Sequence, residues 1–323
     1  MRVPPRPVRR LVLAPLLLLA ELAFLLVSPA LALLAALTSP LLGGRPLRLL
    51  AIAVAFVARH VAATVRLLGM SAQDQEAHYE LMRWFVGGVY DAAVRAARVE
   101  LRVTDSEPAE AVLSGRDRPL LVLSMHSGEG DSLLVLHQLL CRHRRRPRIV
   151  LHEALRMDPL IDVLGSRLPN RFVDPRGGDT ELEIAAMSRG LAAEEAVLIF
   201  PEGGNFSPER RQRGIERLEA AGHDEEARWA KRMRHVQAPR PGGALAALEA
   251  APEADVVFVA HVGFPRSFAE VWRLLPDAHT VELRLWHTRA ADVPGGRDER
   301  IDWLFGWWCT LDDWVAERQP DAS

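Results

Sequence analysis

Residues 11–37, LVLAPLLLLAELAFLLVSPALALLAAL, hold a single charge, Glu21, in 27 positions. A helix needs about 20 apolar residues to cross a bilayer, and soluble domains rarely bury so long a run on every face. The stretch therefore predicts a membrane anchor. Arg2, Arg6, Arg9 and Arg10 precede it, so the positive-inside tendency puts the N-terminus in the cytoplasm. A cleaved signal peptide ending near SPALA is the rival reading, but apolar regions of such peptides run about 7–15 residues.

A second apolar segment, residues 47–69, follows GGRP. Arg48, Arg59 and Arg66 are spaced by 11 and 7 residues, which brings them onto one face at about 100° per residue. A basic stripe on an apolar helix predicts a helix lying on anionic head groups. A return across the membrane and a core helix with one solvated stripe are the alternatives.

The remaining chain reads differently. Apolar runs at 119–125, 149–153, 171–174, 196–200, 255–264 and 280–288 predict strands. Segments of helical spacing lie between them, and a terminal helix is expected at 297–319. Strands alternating with helices argue for an α/β fold with a mixed, mostly buried sheet covered by helices, preceded by the membrane-associated helical segment. The expected division is 1–70 for anchor and interfacial helix and 71–323 for the α/β domain. A formal net charge of -2 argues against a nucleic-acid binder. Cys141 and Cys309 match no metal-ligand spacing, and free thiols in a reducing compartment are expected.

Two stretches carry chemistry. In MHSGEGD (125–131), His126 and Asp131 stand five residues apart, about 500° around a continuous helix. They meet only if His126 sits on a loop and Asp131 in the first turn of the following helix. Gly128 and Gly130 give the backbone that freedom. Asp131 then fixes one imidazole nitrogen and leaves the other as a base. Ser127 lacks the G-x-S-x-G elbow of a nucleophile. In FPEGGNF (200–206), a strand ends at a carboxylate and two glycines, with Glu202 an oriented polar contact and the turn amides able to hold an anion. An ordinary strand-ending turn is the equal alternative for that stretch taken alone.

Together, His-x4-Asp and F-P-E-G resemble the glycerolipid acyltransferase superfamily, which includes the 1-acylglycerol-3-phosphate acyltransferases. The resemblance covers roughly residues 50–315. Residues 151–179 are similar to that family's second block, whose Asp-Arg reads the acceptor's phosphate. It implies that role for Arg176, with Arg171 as the fallback. HVQAPRPGGALAAL (235–248) and WLFGWWCTLDDWVAER resemble a lysophospholipid-acylating branch. The family usually reads F-P-E-G-T-R, whereas Gly204 and Asn205 stand in the last two places here, leaving Arg210 or Arg211 as candidate replacements. The fourth block also lacks its usual proline.

The resemblance implies an O-acyltransferase at the cell membrane, its catalytic domain facing the cytoplasm. His126 and Asp131 would be catalytic, and Glu202, Gly203, Arg176 and Arg171 would bind substrate. Acyl-CoA or acyl carrier protein would be the co-substrate donor, with no metal and no further cofactor. The expected acceptor is a lysophospholipid, foremost 1-acylglycerol 3-phosphate giving phosphatidate, and anionic membrane lipid is a further partner. An acyltransferase for another lysophospholipid or glycolipid, a silent lipid-binding homologue and a hydrolase stay open. Of the other features, CRHRRRPR (141–148) reads as a solvated loop, with attraction of anionic lipid or coenzyme A phosphates as the alternative. His152-Glu153 and His223-Asp224 do not form His-Glu-x-x-His. His235 and His261 read as structural, and Trp303, Trp307, Trp308 and Trp314 as core.

Overall fold

The computed structural model describes residues 3–128, 130–174, 179–265 and 267–319. Seven strands form one sheet: β1 (Val99–Thr104), β2 (Leu120–Ser124), β3 (Arg146–His152), β4 (Arg171–Val173), β5 (Glu195–Ile199), β6 (Asp255–Val262) and β7 (His279–Thr288). Their spatial order is β1-β7-β6-β2-β5-β3-β4. All neighbouring pairs are parallel except β6 and β7, so the sheet is mixed as expected. Every residue of β2, β5 and β6 is buried, which is why these strands read as unbroken apolar runs rather than alternations.

The two faces of the sheet are covered by different helices. Leu121, Leu123, Val197, Ile199, Val256 and Phe258 point to one side, against Ala244, Leu245 and Leu248 of the helix Pro241–Ala250 and Leu304, Phe305 and Trp308 of the helix Arg297–Arg318. Leu120, Val122, Ala196, Leu198 and Val257 point to the other, against the helices Glu107–Gly115 and Asp131–His137. Truncating Leu121 or Leu198 to alanine is expected to cost about 2–5 kcal/mol. Trp308 and Trp314 are buried, while Trp303 and Trp307 pack half-buried on the same core, as expected.

Beside the sheet lies a helical layer. A 33-residue helix, α1 (Arg6–Thr38), turns back through Gly43 and Gly44 into α2 (Arg45–Leu68). Both are long and apolar enough to cross a membrane. α2 packs through Ala63 and Leu67 on Tyr79, Leu81 and Met82 of α3 (Gln75–Ala97) and on Leu160 and Leu164 of α4 (Pro159–Arg167). The lone charge of the apolar run is partnered: Glu21 Oε1 lies 2.8 Å from His60 Nδ1, and His60 Nε2 lies 3.1 Å from Asp158 Oδ1.

Two stretches read as charged surface also make protein contacts. The α2 arginine stripe is partly engaged by protein, while Arg66 stays exposed. Arg48 donates to the Leu275 carbonyl at 2.7 Å and Arg59 to the Trp84 carbonyl at 2.8 Å, and the Arg59 and Arg66 guanidinium groups lie 4.6 and 4.2 Å from the Trp84 ring centre. Gly88 makes room for Arg59, because a Cβ there would fall 1.7 Å from its guanidinium carbon.

The run CRHRRRPR is a solvated loop only in part: Arg142 and Arg144 stay more than half exposed, whereas β3 starts at Arg146. Arg145 is fully buried and donates to the carbonyls of Leu113 and Arg118, each at 2.8 Å. Arg142, Arg144, Arg146 and Arg148 are paired with Glu110, Glu80, Glu194 and Glu195. Carbonyls and carboxylates far off in sequence take up each charge, which neutralises a stretch that reads as solvated in isolation.

Candidate active site

β2 ends at Ser124, and the Met125 N–H extends its ladder by donating to the Val259 carbonyl at 3.1 Å. The chain then leaves the sheet and re-enters a helix at Asp131. The turn is tight enough that a Cβ at Gly130 would sit 2.5 Å from the Phe264 ring. Asp131 is completely buried, and its Oδ2 accepts the N–H groups of Ser127 at 2.7 Å and Gly128 at 3.1 Å. His126 Nδ1 lies 2.9 Å from Oδ1 and 3.1 Å from Oδ2 of the same carboxylate.

An ionised carboxylate can only accept, so Nδ1 carries a proton, and in the neutral imidazole the lone pair is then on Nε2. The His126 side chain is 18% exposed, and its ring lies tilted against Phe200 with centroids 4.6 Å apart. This is the loop-then-helix geometry that the spacing predicts.

His261 of β6 is the neighbour that sequence reasoning set aside. Its Nε2 stands 3.5 Å from Asp131 Oδ2, with the ring wholly buried. Burial by itself would raise the Asp131 pKa, but His126 and His261 together hold it well below the usual carboxylate range.

Glu202 departs from its expected role. It is 3% exposed, so it faces the protein rather than a substrate. Oε1 accepts the His126 N–H at 3.2 Å and Trp308 Nε1–H at 3.3 Å, while Oε2 accepts the Gln237 N–H at 3.3 Å. Burial pushes its pKa up to about 8 against those three donors, with the Asp131 charge adding to the rise. Glu202 thus braces the loop that holds His126 against the terminal helix and the 235–240 segment.

That segment is itself gripped by Asp312, whose Oδ1 accepts the N–H groups of Arg234, His235 and Val236 at 2.9, 2.6 and 3.0 Å. The motif pair HVQAPRPGG and LDDW is one physical contact.

The glycine turn is only partly as expected. The Gly203 N–H donates to the Phe200 carbonyl at 3.0 Å and is not open to a ligand. Among the described residues the N–H groups of Gly204 and Asn205 have no acceptor. Gly203 and Gly204 have φ of +70° and +153°, the region that favours glycine. Arginines crowd them: a Cβ at Gly203 would lie 3.2 Å from the Arg240 guanidinium, and one at Gly204 2.3 Å from Arg210 Nη1. The Phe206 N–H donates to the His126 carbonyl at 2.8 Å, so this cationic turn abuts the base.

Desolvation, Arg217 and Arg210 all draw the Arg240 pKa down, as expected where guanidinium groups gather with no carboxylate paired to them among the described residues. Arg211 turns away to the carbonyls of Met233 and Lys231. Arg240 went unassigned in the sequence because its neighbour at the turn, Gly203, lies 37 residues earlier.

Of the two expected phosphate readers, Arg176 lies outside the described residues. Arg171 opens β4, half exposed, with its Nε 3.1 Å from Glu183. His152 caps the N–H of Ala154, and His223 faces Glu226 at 3.5 Å. Among the described residues no group of three or more His, Cys, Asp or Glu side chains is placed to hold a metal.

No curated protein matches the chain. Among solved structures, the chain is similar to the crystal structure of the 1-acyl-sn-glycerophosphate (LPA) acyltransferase PlsC from Thermotoga maritima, at 15% identity and a TM-score of 0.49, covering 92% of this chain and 98% of that one. The family model Acyltransferase matches residues 100–260, which run from within β1 into β6 and include His126, Asp131 and the Glu202 turn. The chain carries an Acyltransferase-family domain over residues 100–260 and is an acyltransferase.

Proposed function

We propose that this chain is a membrane-associated acyltransferase that moves a fatty acyl group from acyl-CoA or acyl carrier protein to the hydroxyl of a lysophospholipid. The foremost acceptor is 1-acylglycerol 3-phosphate, giving phosphatidate. The observation that carries the reading is the His126 imidazole, pinned through Nδ1 by a buried carboxylate at 2.9 Å while Nε2 has no protein partner among the described residues.

In this mechanism Nε2 removes the proton from the acceptor hydroxyl as its oxygen attacks the thioester carbonyl. The tetrahedral oxyanion is met by the N–H groups of Gly204 and Asn205. Its collapse breaks the carbon–sulfur bond, and the leaving thiolate takes the proton back from Nε2. Asp131 keeps the tautomer and steadies the imidazolium, and His261 supports Asp131.

Arg240 and Arg210 are the groups best placed to hold the acceptor's phosphate, with Arg217 beside them. They take the role assigned by resemblance to Arg176 and Arg171. The departure from F-P-E-G-T-R at Asn205 keeps another lysophospholipid or glycolipid acceptor as the second reading, since one cationic contact of the usual turn is supplied here from elsewhere. Residues 1–70 serve as the anchor and 71–323 as the catalytic domain. The leucines left exposed along α1, among them Leu11, Leu16, Leu19, Leu22, Leu26 and Leu33, favour contact with lipid.

The test is acyl transfer by full-length protein in a membrane fraction. Labelled acyl-CoA or acyl carrier protein is supplied with lysophosphatidate, glycerol 3-phosphate, other lysophospholipids or no acceptor. Transfer that needs both an acceptor and His126 supports the reading. Release of free fatty acid without an acceptor would make the protein a hydrolase, and no turnover with any donor and acceptor would favour a silent lipid-binding protein.

A further inference from the structure

A second cationic site lies away from the turn that holds His126. A cavity of about 330 Å³ is lined by Arg6, Arg9 and Arg10 of α1, by Arg156 and by Ser166 and Arg167 of α4. That volume is at the small end of ligand sites. None of these residues belongs to the acyl-transfer machinery.

Five guanidinium groups line the cavity, and three of them share one carboxylate. Asp162 meets Arg9 Nη2 at 2.9 Å, Arg10 Nε at 3.2 Å and Arg156 Nη1 at 3.4 Å. Asp158 adds no pairing, since it is taken by His60 and by the Ile161 N–H. Arg167 donates to the carbonyls of Leu67 and Met70 at 3.1 and 3.3 Å. Arg6 has no partner among the described residues, and the Arg9 Nε–H is buried with none.

A buried donor without an acceptor costs free energy on the order of 1–3 kcal/mol. Like charges gathered around one carboxylate add to that cost unless an anion is bound. Guanidinium forks match the several oxygens of a phosphate group better than a spherical anion. The cavity also sits at the first turn of α1, just before the exposed Leu11, Val12 and Leu16. With α1 as the membrane anchor proposed above, that first turn lies at the level of lipid phosphates.

We propose that this cavity binds a phosphate-bearing anion, separately from the acyl-transfer site, and so ties the start of α1 to α4. A membrane lipid head group and free phosphate are the two sources of that chemistry. The proposal does not depend on the acceptor assigned above.

The experiment uses full-length protein in a neutral detergent, with thermal unfolding as the readout. One arm titrates inorganic phosphate at constant ionic strength. The other titrates phosphatidylglycerol into the micelles, with phosphatidylcholine as the control lipid. Arg6→Gln removes a side chain with no protein partner, so its folding is not at stake, and Arg6→Gln/Arg156→Gln removes two walls of the cavity.

The expected result is saturable stabilisation of the wild type by one of the two probes, with half-saturation shifted up about tenfold or more in the double variant. A phosphate response identifies a soluble ligand, and a phosphatidylglycerol response that phosphatidylcholine does not reproduce identifies a lipid head group. Equal responses of wild type and both variants, or no response to either probe, would overturn the proposal. Acyl transfer measured on the same samples reports separately on the catalytic site.

Discussion

His60 and His126 each meet a carboxylate through Nδ1, Glu21 at 2.8 Å in the helical layer and Asp131 at 2.9 Å at the sheet edge. The second nitrogen separates them. His60 Nε2 is also occupied, 3.1 Å from Asp158, and the ring is 1% exposed, so it clamps α1, α2 and α4 together. His126 Nε2 has no protein partner among the described residues, and its side chain keeps an opening to the surface. A histidine with both nitrogens held is a brace, whereas one held from behind can move a proton.

The largest effect that sharpens this contrast is at the orienting carboxylate. Asp131→Asn offers an amide where Nδ1 needs an acceptor, and acyl-transfer kcat is expected to fall by about 10³–10⁴-fold, while the circular dichroism spectrum stays that of the wild type. Unchanged kcat would mean that the tautomer is not set by Asp131. His60→Ala should act on stability instead. It leaves Glu21 and Asp158 without their shared partner, which is expected to cost about 3–5 kcal/mol in chemical denaturation. Activity per folded molecule should hold, and a selective loss of turnover would break the distinction between the two histidines.

Arg240→Gln is expected to raise the acceptor KM by about tenfold with kcat nearly unchanged, the signature of a lost charged contact to bound substrate. A fall in kcat alone would remove it from the acceptor site.

The pH dependence is the mildest test, and it sets the two site carboxylates against each other. Asp131 is held below its unfolded value of 3.8, so its stabilisation is present above about pH 4 and is lost as pH falls. Glu202 is raised from 4.5 to about 8, so the native state keeps a proton that the unfolded chain has released between those values. Its contribution to stability therefore declines as pH climbs from about 4.5 to about 8. Denaturation midpoints that rise steadily across that upper range, in wild type but not in Glu202→Ala, would contradict this assignment.

Much of this was legible in the sequence, for identifiable reasons. Strands β2, β5 and β6 are buried on both faces, so their apolar runs are continuous. The His126–Asp131 contact spans five residues with two glycines between and needs only local geometry.

What was missed depends on partners that are remote along the chain. β1 alternates Val99, Leu101 and Val103 with exposed Glu100 and Arg102, an edge strand whose identity comes from pairing with β7. The helices Glu107–Gly115 and Phe268–Leu274 are short and were also unread. The arginines of 142–148 and of α2 read as solvent- or lipid-facing because Glu80, Glu110, Glu195 and Trp84 cannot be located from charge pattern. Glu202 read as a substrate contact because two of its three donors, Gln237 and Trp308, come from segments 35 and 106 residues away. His261 reached Asp131 only through the pairing of β6 with β2.

The central claim is that the free nitrogen of His126 is the base for acyl transfer. Its most direct measurement is the initial rate of acceptor-dependent transfer by His126→Ala, compared with wild type and His60→Ala at equal concentrations of folded protein. The account predicts a loss of about 10⁴-fold for His126→Ala, with an unchanged melting profile and unchanged partition to membranes, and near wild-type turnover for folded His60→Ala. Turnover by His126→Ala within a few-fold of wild type would contradict it.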